Sequence, residues 1–542
     1  LTTKVIDPRI PAPAQEPSLA PRPASLDGRR VMLFDNGKLA PEYGSYHAIF
    51  DVIQEALANR YDRVEVVEHT DDLLRGEVAR LDDVARWVAG LDMGGVIFAL
   101  CDWGVSQPTA LVAGALERMG IPTSVVTTET GARQVLANAA RMTPGLPVTE
   151  LRSLRSATYE SIAAETRALM DDILGGLQSP VAQLRERFAR QHPIAPAGSN
   201  GSGLLELEGG DPSSAFTLAM RDSQLGDGLP LLAPTPARVD AFLEAAEMDP
   251  AQAIWPEIAP RTSVVTAREV AAVAVAAGCQ PLWAPVVFAA YEAMAAPEFR
   301  LFQAAITTHP GGTLVFVSGP DAERFGFASG RGALGPGSAA NATTGRAVAL
   351  GYSFLLGAIP GGADLTAQGS PAEYTYCCAE NLADSPWSGL HADTGYPHAT
   401  TVTVLKCEGP HNMIDQQSAD PAALLRTFAS SMATLGSNAS YVAGAETMLL
   451  LNPEHARLLA EAGWSKRDVQ QLLFDAARNR REDLRGRGIT PIWPAWFDKA
   501  ERVPVVPSAE ALLVAVVGGA GPASQVAIPW GYSRAVTRPI PA

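Results

Sequence analysis

From Arg29 onward the chain alternates short apolar runs with amphipathic segments. RRVMLFD, VEVVEHT, GGVIFALCD and IPTSVVTT are apolar stretches of strand length. Between them lie HAIFDVIQEALANRY, DDVARWVAG and TALVAGALERMG, and ETGARQVLANAARM follows the fourth, all with apolar residues at helical spacing. Apolar strands without strict alternation, separated by helices, predict a parallel sheet covered on both faces. A long amphipathic helix over residues 156–190 is expected to close this domain. In such sheets the ligand crevice lies beyond the C-terminal strand ends. Those ends are Asp35-Asn36-Gly37-Lys38, Asp102-Trp103-Gly104 and Thr127-Thr128-Glu129.

Residues 1–28 hold six prolines between Pro8 and Pro23 and predict an extended arm without a core of its own. Residues 29–191 then form the first domain. Gly, Ser and Pro cluster after it, which predicts a linker over 192–224. Residues 225–542 form a larger second domain. Thr266–Glu269 and Ser465–Asp468 have the spacing of capping boxes that open helices. AAITT, TLVFVSGP, EYTYCCAE, TTVTVLKCE and ALLVAVVGGAG read as strands, and the Gly-rich SGRGALGPGSAANATTGR leads into a helical AVALGYSFLLGA. The fold class is therefore α/β: an N-terminal doubly wound parallel-sheet domain plus a larger α/β or α+β domain.

Composition narrows the function classes. Of 542 residues 47% are apolar and 18% charged, enough for large buried cores. Lys and Arg number 42 against 58 Asp and Glu, a net charge of −16. Without a basic cluster, such a chain is repelled by phosphate backbones, so no nucleic-acid partner is expected. Five cysteines are too few for a disulfide scaffold. No run of 18 apolar residues and no signal pattern occurs, so a soluble, cytoplasmic protein without a membrane partner is expected. The Pro-rich arm and the apolar content point to a homo-oligomer.

At the first domain's strand ends, Asn36 and Lys38 suit a carboxylate or phosphate, or form a polar turn. Cys101 is either a reactive thiol or a buried one. Ser106, at a helix start, either meets an anion or caps the helix. The stretch VIFALCDWGVSQPTALVAGALERMGIPTSVVTT, with LFDNGK before it, resembles the UGSC-type selenoprotein family. More distantly it is similar to the selenocysteine-bearing subunits of glycine and proline reductases. GDGLPLLAPT, AAGCQP, LGPGSAANATTGRA, CAENLADSPW and a late GGAG carry the resemblance into the second domain. Where the family has selenocysteine or Cys, this chain has Trp103; where it has the resolving Cys, this chain has Ser106. The resemblance thus implies a crevice of the family's shape without selenol or thiol redox chemistry, lined by Asp102, Trp103 and Ser106.

In the second domain Cys279 stands in AAGCQP, where the family pattern usually has Cys, and is either a nucleophile or a buried thiol. Arg331, Asn341 and Arg346 lie among glycines and suit an anionic substrate. Their spacing is that of neither a dinucleotide fingerprint nor a Walker loop, so neither NAD nor an NTP is expected. Glu380, His391, Asp393, His398, His411 and Asp415 fall within 36 residues. Glu380, His391 and His411 are candidate ligands for a divalent transition metal. Without a metal, Glu380 serves as general base and His391 as acid. Asp227, in GDGLP, sits near the expected domain interface, a favoured place for a ligand.

The reading is a non-redox enzyme of lyase or hydrolase class. It acts on a small polar or carboxylated metabolite, cleaving or adding across a C–N, C–S or C–O bond by acid/base chemistry at the domain interface. Cys279, Glu380 and His391 are the expected catalytic groups. Asn36, Lys38, Asp102, Trp103, Ser106, Asp227, Arg331, Asn341 and Arg346 are the expected substrate contacts. Two alternatives stay open: a thiol-dependent reductase or transferase using Cys279, and a non-catalytic small-molecule-binding or assembly protein.

Overall fold

The computed structural model describes every residue except 1, 10–18, 38, 40–44, 72, 74–77, 102–104, 153–156, 189–202, 257–263, 363, 442–444, 485–486, 489–499, 532 and 542. After β1 (Thr2–Ile6) come five strands: β2 (Arg30–Asp35), β3 (Glu65–Thr70), β4 (Gly95–Ala99), β5 (Thr123–Thr128) and β6 (Val148–Leu151). They form one parallel sheet in the order β3-β2-β4-β5-β6. Alternate residues of the buried strands feed opposite cores, as the period-2 geometry requires. Val31, Leu33, Ile97 and Ala99 pack with the helices Ala48–Arg60 and Met170–Gln178. Met32, Phe34, Val96 and Phe98 face the helices Val78–Ala89, Ser106–Arg118 and Glu129–Met142. The sheet is therefore doubly wound, and its strand order reverses between β2 and β4.

Three local readings differ from the structure here. The stretch 156–190 is not one helix but three: Tyr159–Ala168, Met170–Gln178 and Val181–Phe188. Ser179 is extended (φ −67°, ψ 144°) because it precedes Pro180, whose ring excludes the helical conformation. The fifth strand β6 is short and was unforeseen. The stretch 192–224 is also not wholly linker. It holds β7 (Leu204–Glu208), antiparallel to β1, and the helix Pro212–Asp222, capped by the Asp211 side chain.

The arm ties both units together. Val5 and Ile6 enter the core of the second unit. Farther along, Ala20 N–H donates to Glu117 at 2.7 Å, and Arg22 meets the same carboxylate at 2.6 and 2.9 Å. Both side chains of that ion pair are almost wholly buried.

In the second unit the helix Pro236–Glu244 is followed by the short pair β8 (Ala253–Trp255) and β9 (Val265–Thr266). Thr266 N–H donates to Glu269 at 2.7 Å and opens the helix Ala267–Ala277, buried from Val270 onward, as expected. Next come β10 (Gly312–Ser318), β11 (Cys377–Ala379), β12 (Thr401–Cys407), β13 (His411–Ile414), β14 (Thr447–Leu451), β15 (Arg478–Arg480), β16 (Arg502–Pro504), β17 (Leu512–Val516), β18 (Ala523–Ala527) and β19 (Val536–Pro539). They build two mixed sheets, β11-β10-β12-β19 and β13-β18-β14-β17, and β15 pairs with β16. Val315, Val317, Val402 and Val404 pack under the helices Ala267–Ala277, Ala284–Met294 and Ala339–Leu356. Their neighbours Leu314, Phe316, Leu405 and Cys407 meet Met448, Leu450, Ala515 and Ala527 of the other sheet. That sheet's outer face packs on the helices Pro421–Met432, Pro453–Glu461 and Lys466–Ala476. The unit is a four-layer sandwich: helices, sheet, sheet, helices. The segment AAITT, read as a strand, instead contributes the end of the helix Leu301–Ala305, whose Leu301, Ala304 and Ala305 are buried at helical spacing.

Candidate functional site

β10 and β11 are parallel neighbours, so Ser318 and Glu380 emerge side by side beyond the ladder pair Val317–Ala379. Ser318 Oγ donates to Glu380 Oε2 at 2.5 Å and lies 2.9 Å from His391 Nδ1. The N–H of Leu390 donates to the same carboxylate oxygen at 2.7 Å, and the N–H of His391 donates to Ser318 Oγ at 3.0 Å. Glu380 Oε1 has no partner among the described residues. Ser318 has one hydroxyl proton; with it directed at Glu380, His391 carries its proton on Nδ1 and leaves Nε2 as acceptor. Burial raises the Glu380 pKa, with the charge of Lys466 opposing it, and burial lowers that of His391. Both groups are therefore pushed toward their neutral forms. The serine stands between acid and imidazole, whereas a nucleophilic triad needs the imidazole between serine and acid. Exposure of the three is 3, 0 and 8% for Glu380, Ser318 and His391, so the cluster is closed. Asp393 pairs with Lys466, at 2.6 Å.

At the opposite end of β10 a cavity of about 500 Å³ opens. Ser318 and Thr313 are five residues apart, so the two places are separated by about 17 Å along the strand. Thr313 pairs across the antiparallel ladder with Lys406 of β12. Lys406 occupies the third position of the face that carries Val402 and Val404, and only 6% of it is exposed. Its ammonium group lies 4.9 Å from the centroid of the Tyr352 ring and has no ion pair or hydrogen bond among the described residues. Tyr352 Oη is 2.7 Å from Thr313 Oγ1. Burial lowers the Lys406 pKa, against the charges of Glu373 and Asp364. On the opposite face of β10, Gly312 lets the Pro371–Glu373 turn pack close, since a Cβ there would lie 2.1 Å from the Ala372 carbonyl oxygen.

The three carboxylates lining the cavity are each engaged. Glu373 accepts the N–H groups of Gly311 and Ser370, both at 3.0 Å. Asp364 accepts from Thr366 N–H and Oγ1. Asp227 forms a two-point pair with Arg346, at 2.7 and 3.0 Å. Arg221, exposed, and Lys406, buried, are the lining cations. The lining residues Ala305 and Ala358 also belong to the first unit's core, so this cavity borders the junction of the units.

The expected site residues are thus scattered. Glu380 and His391 come together through Ser318, which sequence reasoning missed. Asp227 reaches the cavity wall, but Arg346 occupies its carboxylate. Asn341 is buried in the helix Ala339–Leu356 and clasps the Gly-rich loop, exchanging hydrogen bonds with Ala328 and donating to Ala333. Arg331 lies exposed against the Ala520 carbonyl. Cys279 donates to the Thr343 carbonyl at 3.2 Å, and burial pushes its pKa up to about 12. His411 is on β13 in the other sheet, and no metal-binding group of three ligands forms among the described residues. Lys406 was also missed. Its signal was present: the chain has five lysines, and one falls inside the apolar strand TVTVLKC.

The reversal point of the first sheet brings Asn36 and Cys101 together, Nδ2 to Sγ at 3.0 Å. Ser106 does not cap its helix with its side chain, since Val105 holds the N-cap position; its hydroxyl donates to the Cys101 carbonyl at 3.0 Å. Asn36 Oδ1 is buried without a partner among the described residues. Lys38, Asp102 and Trp103 lie outside the described residues. The UGSC family model matches residues 4–179. This region is UGSC-like. The match takes in the UGSC-like sheet, its reversal point and Ser106, about a third of the chain. The two-sheet unit, with the cavity and the Glu380 cluster, lies beyond it. No curated protein and no solved structure matches the chain.

Proposed function

We propose that the protein is a non-redox enzyme that binds a small carboxylated metabolite in the cavity beside β10 and β12 and works on it by acid/base chemistry. One observation carries the reading: Lys406 is buried, has no ion pair or hydrogen bond among the described residues, and lines a cavity whose described carboxylates are all engaged. A buried cation without a counter-ion is costly unless a ligand supplies the charge or the amine sheds its proton. Both outcomes suit the same site, an anion anchor in one protonation state and a base in the other. About 500 Å³ is within the range of small-molecule sites. The Glu380–Ser318–His391 cluster is closed and borders no part of this cavity, so the reading gives it a structural role. Trp103, which stands at the family's redox position by resemblance, receives no redox step.

The test is a thermal-shift titration with pyruvate, lactate, succinate and acetate, repeated on Lys406→Met. The reading expects a saturable shift with at least one carboxylate that the variant loses. Shifts of equal size in both proteins, or none in either, would overturn it.

A further inference from the structure

We propose that Lys406 captures the carbonyl carbon of an oxo acid as a Schiff base, while Arg221 holds the carboxylate. The inference rests on the cavity reading above and names its substrate class.

A plain anion anchor does not need a lysine. This chain has five lysines among its 42 basic residues, so arginine is its ordinary cation. Arginine cannot shed its proton in a protein, whereas a desolvated lysine can. Lys406 sits on the inner strand β12, where it pairs with Thr313 of β10 and its carbonyl accepts the Trp530 N–H at 2.9 Å. Its amine lines the cavity with the Tyr352 ring over it. Burial favours the neutral amine, the form that attacks carbon. Glu373, Asp364, Cys407 and Tyr352 are the other ionisable groups around it. The two carboxylates are fixed by backbone and hydroxyl donors rather than by Lys406. The second cation of the lining, Arg221, lies in the helix Pro212–Asp222 and has no side-chain partner among the described residues. An amine and a guanidinium in one cavity match a carbonyl and a carboxylate in one ligand.

The step balances without an external oxidant or reductant. The Nζ lone pair forms a bond to the carbonyl carbon, and the carbonyl oxygen takes up a proton. The resulting carbinolamine loses that oxygen as water, and the second amine proton leaves with it. Net, one amine and one carbonyl give one imine and one water. The Thr313–Tyr352 hydroxyl pair, opposite Lys406 across the ladder, is placed to pass the protons.

The experiment is borohydride trapping on the full chain with pyruvate, read by intact mass and peptide mapping. Lactate, which lacks the carbonyl, and acetone, which lacks the carboxylate, serve as comparisons. The expected result is a single pyruvate adduct on the Lys406 peptide. It should be absent with lactate, weaker with acetone, and reduced about tenfold or more in Arg221→Ala, the scale of one lost charged hydrogen bond. Lys406→Arg, which keeps the charge but cannot form an imine, should give no adduct. Adducts spread over the five lysines, or none at Lys406, would overturn the inference. If Lys406-dependent thermal shifts persist in that case, the cavity reading stands and only the Schiff base falls; if they are also absent, both fall. Mapping on the unaltered protein decides the matter even if a variant fails to fold.

Discussion

Replacing Lys406 with Met removes the charge and keeps an unbranched side chain of similar length. In the folded protein Lys406 is 6% exposed, and burial holds its pKa below the ordinary lysine value of 10.5. The unfolded chain therefore binds a proton at this site more readily than the folded one. As pH falls from the unfolded value toward the folded one, the unfolded state gains a proton that the folded state does not. Over that window stability declines by up to about 1.4 kcal/mol per pH unit, and below it the full penalty remains. An unsatisfied buried polar group costs about 1–3 kcal/mol. Loss of the Tyr352 ring contact offsets about 0.5–1 kcal/mol of the gain. Lys406→Met is thus expected to be more stable than the natural protein at neutral pH by up to about 2.5 kcal/mol, the difference of those two magnitudes. The advantage should shrink as pH rises toward the ordinary lysine value. The assay is urea unfolding of both proteins across that range. The difference between the two curves removes titrations they share. A variant that is less stable at neutral pH, with a gap that does not change with pH, would refute the reasoning.

Other expectations follow from the same geometry. Cys279 should resist Ellman's reagent in the native state near pH 8, since a thiol with a pKa of about 12 is only roughly one part in ten thousand thiolate there; rapid labelling mapped to Cys279 would restore it as a nucleophile. Ser318→Ala removes a donor from Glu380 and the partner of His391 Nδ1, and should lower stability by about 1–3 kcal/mol in chemical denaturation. Arg22→Met leaves the buried Glu117 charge without its cation and should cost about 3–5 kcal/mol; limited proteolysis should then cut residues 19–22, which the natural protein protects.

The first sheet was legible because β2, β4 and β5 are buried on both faces and are separated by helical segments, so periodicity alone tells strand from helix. Its tail was not. Helical spacing runs unbroken through 156–190, and only the Ser179-Pro180 step marks a break within it. The two-sheet architecture of the second unit could not be read, because its strands pair across large separations, as β10 does with β12 and β12 with β19. The Glu380–His391 pair was legible as residue types; the bridging Ser318 was hidden at the end of a strand 62 residues before Glu380. Arg346 and Asp227 were each taken for substrate contacts, because a sequence does not tell that they satisfy each other across 119 residues. Lys406 carries a weaker signal, a single lysine where the alternation of TVTVLKC demands an apolar residue, and its cavity forms only when β10, β12 and the helix Ala339–Leu356 come together.

The account rests on a buried Lys406 amine lining the cavity, whose burial favours the neutral form, and lysine-selective ¹⁵N labelling tests it directly. Five lysines give five side-chain signals, and Lys406→Arg identifies the one from β12. The account predicts that this signal titrates below the ordinary lysine range and that it alone shifts when pyruvate is added. A Lys406 signal that titrates with the other four and ignores pyruvate would contradict it.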